Sequence, residues 1–140
     1  MANAKEPRIA NIKTGSTLVI LSIFFFFTAS FAETMEAATN QQIGLIKKGF
    51  FEPLTVLKSA AIIQGPDRYY VGLNFLAEGY DLPGIGIWLV EGTKHNPINV
   101  YSVNATAGLF SGYPTANPKQ LTASMADPKA NRILYFLKRK

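Results

Sequence analysis

The sequence predicts an α+β domain: a small antiparallel sheet of three to five strands, a short helix after the strand at 98–103, and a C-terminal helix packed on the sheet. Three observations carry this. Between residues 54 and 103, runs rich in β-branched and aromatic residues are separated by Gly and Pro turns. At residue 103 the hydrophobic period changes from two to three-and-four. Asp127-Pro128 then opens an apolar-periodic segment as helices open, with an N-cap followed by Pro at the first helical position. Strands followed by helices fit a meander with its helices against one face.

Residues 1–32 stand apart from that domain. Lys5, Arg8 and Lys13 against Glu6 form a basic stretch, residues 17–27 (TLVILSIFFFF) are almost unbroken apolar, and Ser30-Phe31-Ala32 places small residues at the minus-three and minus-one positions of a cleavage site. This is the plan of a secretory signal peptide cleaved after Ala32. The alternative is an uncleaved N-terminal membrane anchor, although residues 17–32 fall short of the roughly 20 that a spanning helix needs. Under both readings the basic flank stays inside and the remainder is exported, to the periplasm or beyond, or held outside an inner membrane. The other expected divisions are a linker with a short helix at 33–53 and one α+β domain at 54–140.

In chain order, residues 33–42 (ETMEAATNQQ) read as a polar linker, and Ile43, Ile46 and Phe50 give a weak helical period closed by Gly49. Residues 54–64 (LTVLKSAAIIQ) lie between helix and strand, leaning to strand on Thr, Val and two Ile, with Gly65-Pro66-Asp67 as the following turn. Residues 69–75 (YYVGLNF) alternate as a half-buried strand, and 85–90 (IGIWLV) and 98–103 (INVYSV) are the next two. Val103, Ala107 and Phe110 then make one stripe of a short helix, with Ser102 or Asn104 as N-cap and Gly112-Tyr113-Pro114 beyond its end. Residues 121–124 suit a short edge strand. The last helix carries Ile133, Leu134 and Leu137 inward, and Lys138, Arg139 and Lys140 complement its C-terminal dipole.

Composition narrows the chemistry. The chain has no cysteine, which removes a lipid-attachment thiol, a disulfide framework, a thiolate nucleophile and Cys-based zinc. Of the net charge of +5, the basic leader holds +2, leaving a modest +3 for the rest. That excess suits solubility or contact with an anionic polymer or lipid headgroup. The cations do not cluster with interleaved aromatics, so no nucleic-acid footprint is expected.

His95, the only histidine, sits in a charged loop without a neighbouring carboxylate and makes no familiar metal set. Ser102, His95 and Asp81 supply the residue types of a catalytic triad without a local signature for one. Gly84-Ile85-Gly86 opens a strand and lacks a third glycine, so it is no dinucleotide loop. Glu78 and Asp81 are the closest carboxylates in one loop, a weak calcium or acid–base pair. Asn104-Ala105-Thr106 matches a glycosylation sequon. Tyr80 and Tyr113, in Gly- and Pro-containing loops, and Trp88 are the expected binding residues, with Lys138, Arg139 and Lys140 as a basic tail.

The order IGIWLV, then INVYSVNATAGLFSGYP, then LTASMADPKANRILYFL resembles small exported bacterial proteins and lipoproteins without an assigned activity. The resemblance spans about residues 58–137 and implies export and a single domain. It transfers no site residue, and this chain departs from it in lacking the lipoprotein cysteine. The expectation is a non-catalytic binding or accessory domain without a cofactor. Its partner would be an envelope protein or an anionic envelope polymer, not nucleic acid, with membrane contact only through an uncleaved N-terminal segment. The alternatives are a hydrolase built on a carboxylate pair such as Glu78 and Asp81, or a membrane-tethered structural protein. Cleavage is checked by N-terminal sequencing of the exported material: the chain should start at Glu33, and one that keeps residues 1–32 makes the segment an anchor.

Overall fold

The computed structural model describes residues 34–63, 65–117 and 124–139. The expected leader and its cleavage site, Gln64, most of the expected edge strand at 121–124, and Lys140 lie outside the described residues.

Strands β1 (Leu54–Ile63), β2 (Arg68–Ala77), β3 (Gly84–Gly92) and β4 (Pro97–Ser102) form one antiparallel sheet in chain order. Gly65, Gly79 and Gly92, one per connection, take positive φ, a conformation that costs glycine little and other residues more. The ambiguous segment at 54–64 is a strand because its apolar residues serve two faces rather than one helical stripe. Ala61 joins one core cluster, and Ala60 and Ile62 join the other.

Helix α1 (Asn40–Lys47) begins inside the stretch expected to be linker. Thr39 and Gln42 form a capping box, in which the Gln42 N–H donates to Thr39 Oγ1 at 3.2 Å and the Thr39 N–H donates to Gln42 Oε1 at 2.9 Å. Two otherwise orphaned donors are thereby satisfied, which lets a polar first turn start a helix. Upstream, Glu36 exchanges backbone hydrogen bonds of 3.0 and 2.7 Å with Ala61, covering part of the exposed edge of β1. Helix α2 (Ala105–Phe110) takes Asn104 as its N-cap. Helix α3 (Pro128–Lys138) starts at the expected Asp127-Pro128. No helix among the described residues is long and apolar enough to cross a membrane.

The helices do not share one face of the sheet, and β2 is not half-buried. Tyr69, Val71, Leu73 and Phe75 of β2, with Trp88 and Val90 of β3, pack beneath Ile46 of α1 and Ala107 of α2. Tyr70 of β2, with Ile87 and Leu89 of β3, packs against Ala130, Ile133 and Leu137 of α3 on the other side. Alternation suggested a wet second face because Gly72 and Asn74 supply little apolar surface. Their smallness is instead what admits α3. A Cβ built on Gly72 falls 2.2 Å from Ile133 Cγ2 and 2.8 Å from Leu137 Cδ1.

Side chains of the sheet fasten both ends of α3. Asp127 accepts from the Lys129 N–H at 2.8 Å and from the Tyr70 hydroxyl at 2.9 Å. At the other end Lys58 Nζ donates to the carbonyls of Phe136 (2.9 Å) and Arg139 (3.1 Å), and Asn74 Nδ2 donates to that of Leu137 (3.2 Å). The Phe136 and Leu137 carbonyls belong to the last turn, where helices lack internal donors, and Arg139 follows it as the C-cap. Lys58 reaches them because of a bulge: Val56 pairs with Phe75 and Lys58 with Asn74, leaving Leu57 unpaired between. The extra residue reverses the alternation and turns Lys58 toward α3.

Two glycines give opposite expectations for one substitution. Gly72→Ala should lower stability by about 1–3 kcal/mol through overpacking. Gly108→Ala, in α2 with nothing within 4 Å of the new methyl, should raise it by roughly 0.5–1 kcal/mol. Denaturant midpoints decide. A Gly72→Ala variant as stable as the parent refutes the close helix–sheet contact.

Candidate functional site

The segment from Ile98 to Pro114 is where the sequence concentrates its signals, and Asn104 holds it together. The Asn104 side-chain Oδ1 accepts from the Ala107 N–H at 3.0 Å, capping α2, and from the Ile87 N–H at 3.0 Å; its Nδ2 donates to the Ile85 carbonyl at 2.8 Å. After β4 ends at Ser102, the Val103 N–H still donates to the Ile87 carbonyl at 2.9 Å. The Asn104 amide therefore continues the ladder along β3 by one side chain while starting the helix. An amide engaged on both its oxygen and its nitrogen makes this sequon position a structural one.

Beside it lies a buried hydroxyl network. Trp88 is fully buried, and its Nε1 donates to Ser111 Oγ at 3.1 Å. Ser111 Oγ in turn donates to the Ala107 carbonyl at 2.6 Å and lies 3.3 Å from Ser102 Oγ, which donates to the Tyr113 carbonyl at 3.2 Å. Each hydroxyl has a partner, as burial requires. Tyr113 is half-buried, and its hydroxyl donates to the Leu45 carbonyl at 2.6 Å, joining the segment to α1. Trp88 and Tyr113, both expected as binding residues, thus sit in the core and its edge, where their polar tips satisfy internal groups.

The residue types of hydrolytic chemistry are dispersed. Ser102 is buried in that network, while His95 and Asp81 lie in the loops at opposite ends of β3. At about 3.4 Å per residue a strand of nine residues keeps them tens of ångströms apart. Glu78 and Asp81 are both solvent-exposed. Among the described residues no group of three or more His, Cys, Asp or Glu is placed to hold a metal ion. Glu91 does gather partners: Arg68 at 3.8 Å, Asn99 Nδ2 at 3.1 Å and the Tyr101 hydroxyl at 3.2 Å.

Tyr80 occupies a different setting. Its ring meets Phe110 edge-on at 4.8 Å, Phe110 meets Phe75 at 5.2 Å, and Phe75 meets Phe50 at 4.9 Å. A relay of aromatic contacts, each of the favoured T-shaped kind, therefore runs from the core to Tyr80 at the surface. The same end of the sheet carries Phe51, Leu82 and Leu109, with exposures of 66, 80 and 68 %, beside Tyr80 at 50 %. The Phe51 N–H donates to the Phe110 carbonyl and the Glu78 N–H to the Pro53 carbonyl, tying these loops to one another. Phe51, Leu82 and Leu109 carry no sequence expectation; the available signal was the doublets Phe50-Phe51 and Leu109-Phe110, each outside the sheet, where a segment covering one face of it buries one neighbour and leaves the other to solvent.

Lys138 and Arg139 of the basic tail are exposed on and beyond the end of α3, and the Arg139 guanidinium lies 5.1 Å over the Tyr135 ring. The fold and its surfaces together define a small α+β domain with a two-sided sheet and an apolar end. No family model, curated protein or solved structure matches the chain.

Tyr69, Tyr101 and Tyr113 titrate above the ordinary tyrosine value near 10.0. Burial raises Tyr69. Burial first, then the Glu91 carboxylate, raises Tyr101, with Arg68 opposing. Burial raises Tyr113 against a smaller effect of the Gly49 backbone. Raised in the folded chain, these groups lose no stability below about pH 10, and above it the unfolded chain releases its protons first. Stability should therefore hold to that pH and fall as pH rises further. Tyr113→Phe should flatten the alkaline loss in denaturant midpoints, and an unchanged slope would exclude Tyr113 as a contributor.

Proposed function

We propose that this chain is an exported cell-envelope domain that acts by binding a protein partner rather than by catalysis, through the end bearing Phe51, Tyr80, Leu82 and Leu109. The observation that carries this reading is that four large apolar side chains are held out to solvent over a packed aromatic base. Exposed apolar groups gathered at one place on a small domain mark interaction sites. Rigid aromatic anchors lose little conformational freedom on binding, which favours them at interface centres. The polar groups with catalytic potential support the reading differently: Ser102 and Ser111 are committed to internal bonds, and His95 and Asp81 are a strand apart. Export enters from the basic and apolar leader.

A photo-crosslinking amino acid tests the site in the full chain expressed in cells. Placed at position 80, it should trap one discrete adduct that a probe at the exposed Ile98, outside this end, does not. Phe51→Ser combined with Leu109→Ser should abolish the adduct while changing stability by no more than about 0.5 kcal/mol each, as surface substitutions do. Equal labelling at positions 80 and 98, or an adduct indifferent to the double substitution, would remove this end from consideration.

A further inference from the structure

The end bearing Tyr80 runs directly into an open edge of the sheet. We propose, on the reading of that end as the binding site, that its partner contributes an extended, basic and apolar protein segment. This segment adds as a short strand to β1 beside Leu54 and Val56 and places a Lys or Arg side chain against Glu78.

At the start of β1 the Glu78 N–H donates to the Pro53 carbonyl at 2.9 Å, so the Pro53 carbonyl faces β2. Backbone groups alternate in direction along a strand. Thr55, opposite Leu76, therefore faces β2 as well, and Leu54 and Val56 turn their N–H and C=O groups outward. On that side, among the described residues, β1 is bridged only at Ala61, by Glu36. Two donors and two acceptors thus lie along an uncovered edge, which is a template for another strand. A helix has no free backbone groups along its length to offer them. The bulge at Leu57 ends this template, so the added strand is short. The rest of the segment lies past Pro53, over Phe51 and the apolar end.

Charge and shape select the segment's side chains. A cavity of about 300 Å³ at this end of β1 and β2 is lined by Pro53, Leu54, Thr55, Leu76, Ala77 and Glu78. Glu78 is its one charged lining residue, beside mostly apolar walls, which suits the aliphatic stem and cationic head of Lys or Arg. Glu52 and Asp81 are the chain neighbours of Phe51 and Tyr80, and like Glu78 they are exposed. The ion pairs among the described residues are Arg68–Glu91 and Lys94–Glu36, and Glu52, Glu78 and Asp81 enter neither. In a chain of net charge +5, three unpaired carboxylates therefore gather at the apolar end. An acidic polymer or an anionic lipid surface is repelled there, and hydrocarbon would leave the edge groups of Leu54 and Val56 unpaired.

Two probes test this on the full chain. The first is a fluorescein-labelled peptide of alternating lysine and valine, followed by anisotropy. It should bind saturably. Replacing its lysines by glutamate, or N-methylating its backbone amides, should weaken binding by roughly tenfold or more, because each change leaves polar groups without partners. The second is the photo-crosslinking amino acid at position 80 in cells. Val56→Pro removes an outward N–H, a substitution that edge strands accept. Glu52→Gln with Glu78→Gln and Asp81→Asn removes the charge. Each should cut the adduct by a similar factor with thermal unfolding unchanged, and the N-methylated peptide tests the same backbone bond should Val56→Pro not fold. Equal binding of the lysine, glutamate and N-methylated peptides would overturn the proposal. An adduct that Phe51→Ser with Leu109→Ser abolishes, but that Val56→Pro and the charge substitutions leave intact, would overturn it while the binding end stands. No adduct at position 80 would remove that end and the proposal with it. An adduct of twice the chain's mass would make the partner a second copy and overturn the basic segment.

Discussion

Burial of β2 and β3 on both faces is the constraint on which the rest of this structure depends. A four-stranded sheet with one dry face can leave the other to water, but here Tyr70, Ile87 and Leu89 on one side and Val71, Leu73, Phe75 and Trp88 on the other are all fully buried. Each face therefore needs its own cover. The helices preceding and following the strands divide accordingly, α1 and α2 to one side and α3 to the other. The sheet then holds α3 by polar contacts at both helix ends as well as by apolar packing between them. Tyr70, Asn74 and Lys58 make those contacts, and Lys58 is aimed by a one-residue bulge. A small cysteine-free domain draws on such double layering in place of covalent cross-links.

The transition from β4 to α2 shows how one side chain does the work of a backbone segment. A strand that becomes a helix abandons its ladder, leaving donors and acceptors of the neighbouring strand unpaired. The Asn104 amide, with one acceptor and two donor hydrogens, stands in for the missing backbone on β3 and caps the helix with the same oxygen. Only an amide of this length offers both functions at that place. The hydroxyls of Ser102 and Ser111 complete the inside of the corner and satisfy the Trp88 indole. The most patterned part of the sequence is thus a fold device, and Tyr113 closes it against α1.

The outward surfaces are consequences of that packing. Once Phe50 and Phe110 turn inward to meet Phe75, their neighbours Phe51 and Leu109 are left outside, next to Tyr80. Once Ile133 and Leu137 fill the space over Gly72, the opposite side of α3 holds Arg132 and Tyr135 away from the sheet. One end is apolar and anchored on aromatic contacts; the outer helix face is cationic with an aromatic floor.

The sequence by itself determined the α+β class, the last three strands near their observed bounds and the Asp127-Pro128 start of the last helix, and it leaned to strand for the first. Alternation, turn residues and caps act over a few residues and are written in local order. It also singled out Tyr80 as a loop aromatic at the surface. It pointed to a single covered face, wrongly, because Gly72 and Asn74 look like a weak polar face until Ile133 and Leu137, some sixty residues later, arrive against them. Only the tertiary structure placed Trp88 in the core and gave Asn104 to β3. It alone also brought Phe51, Tyr80 and Leu109 to one end. Those outcomes rest on contacts between residues far apart in the chain, for which local periodicity holds no information.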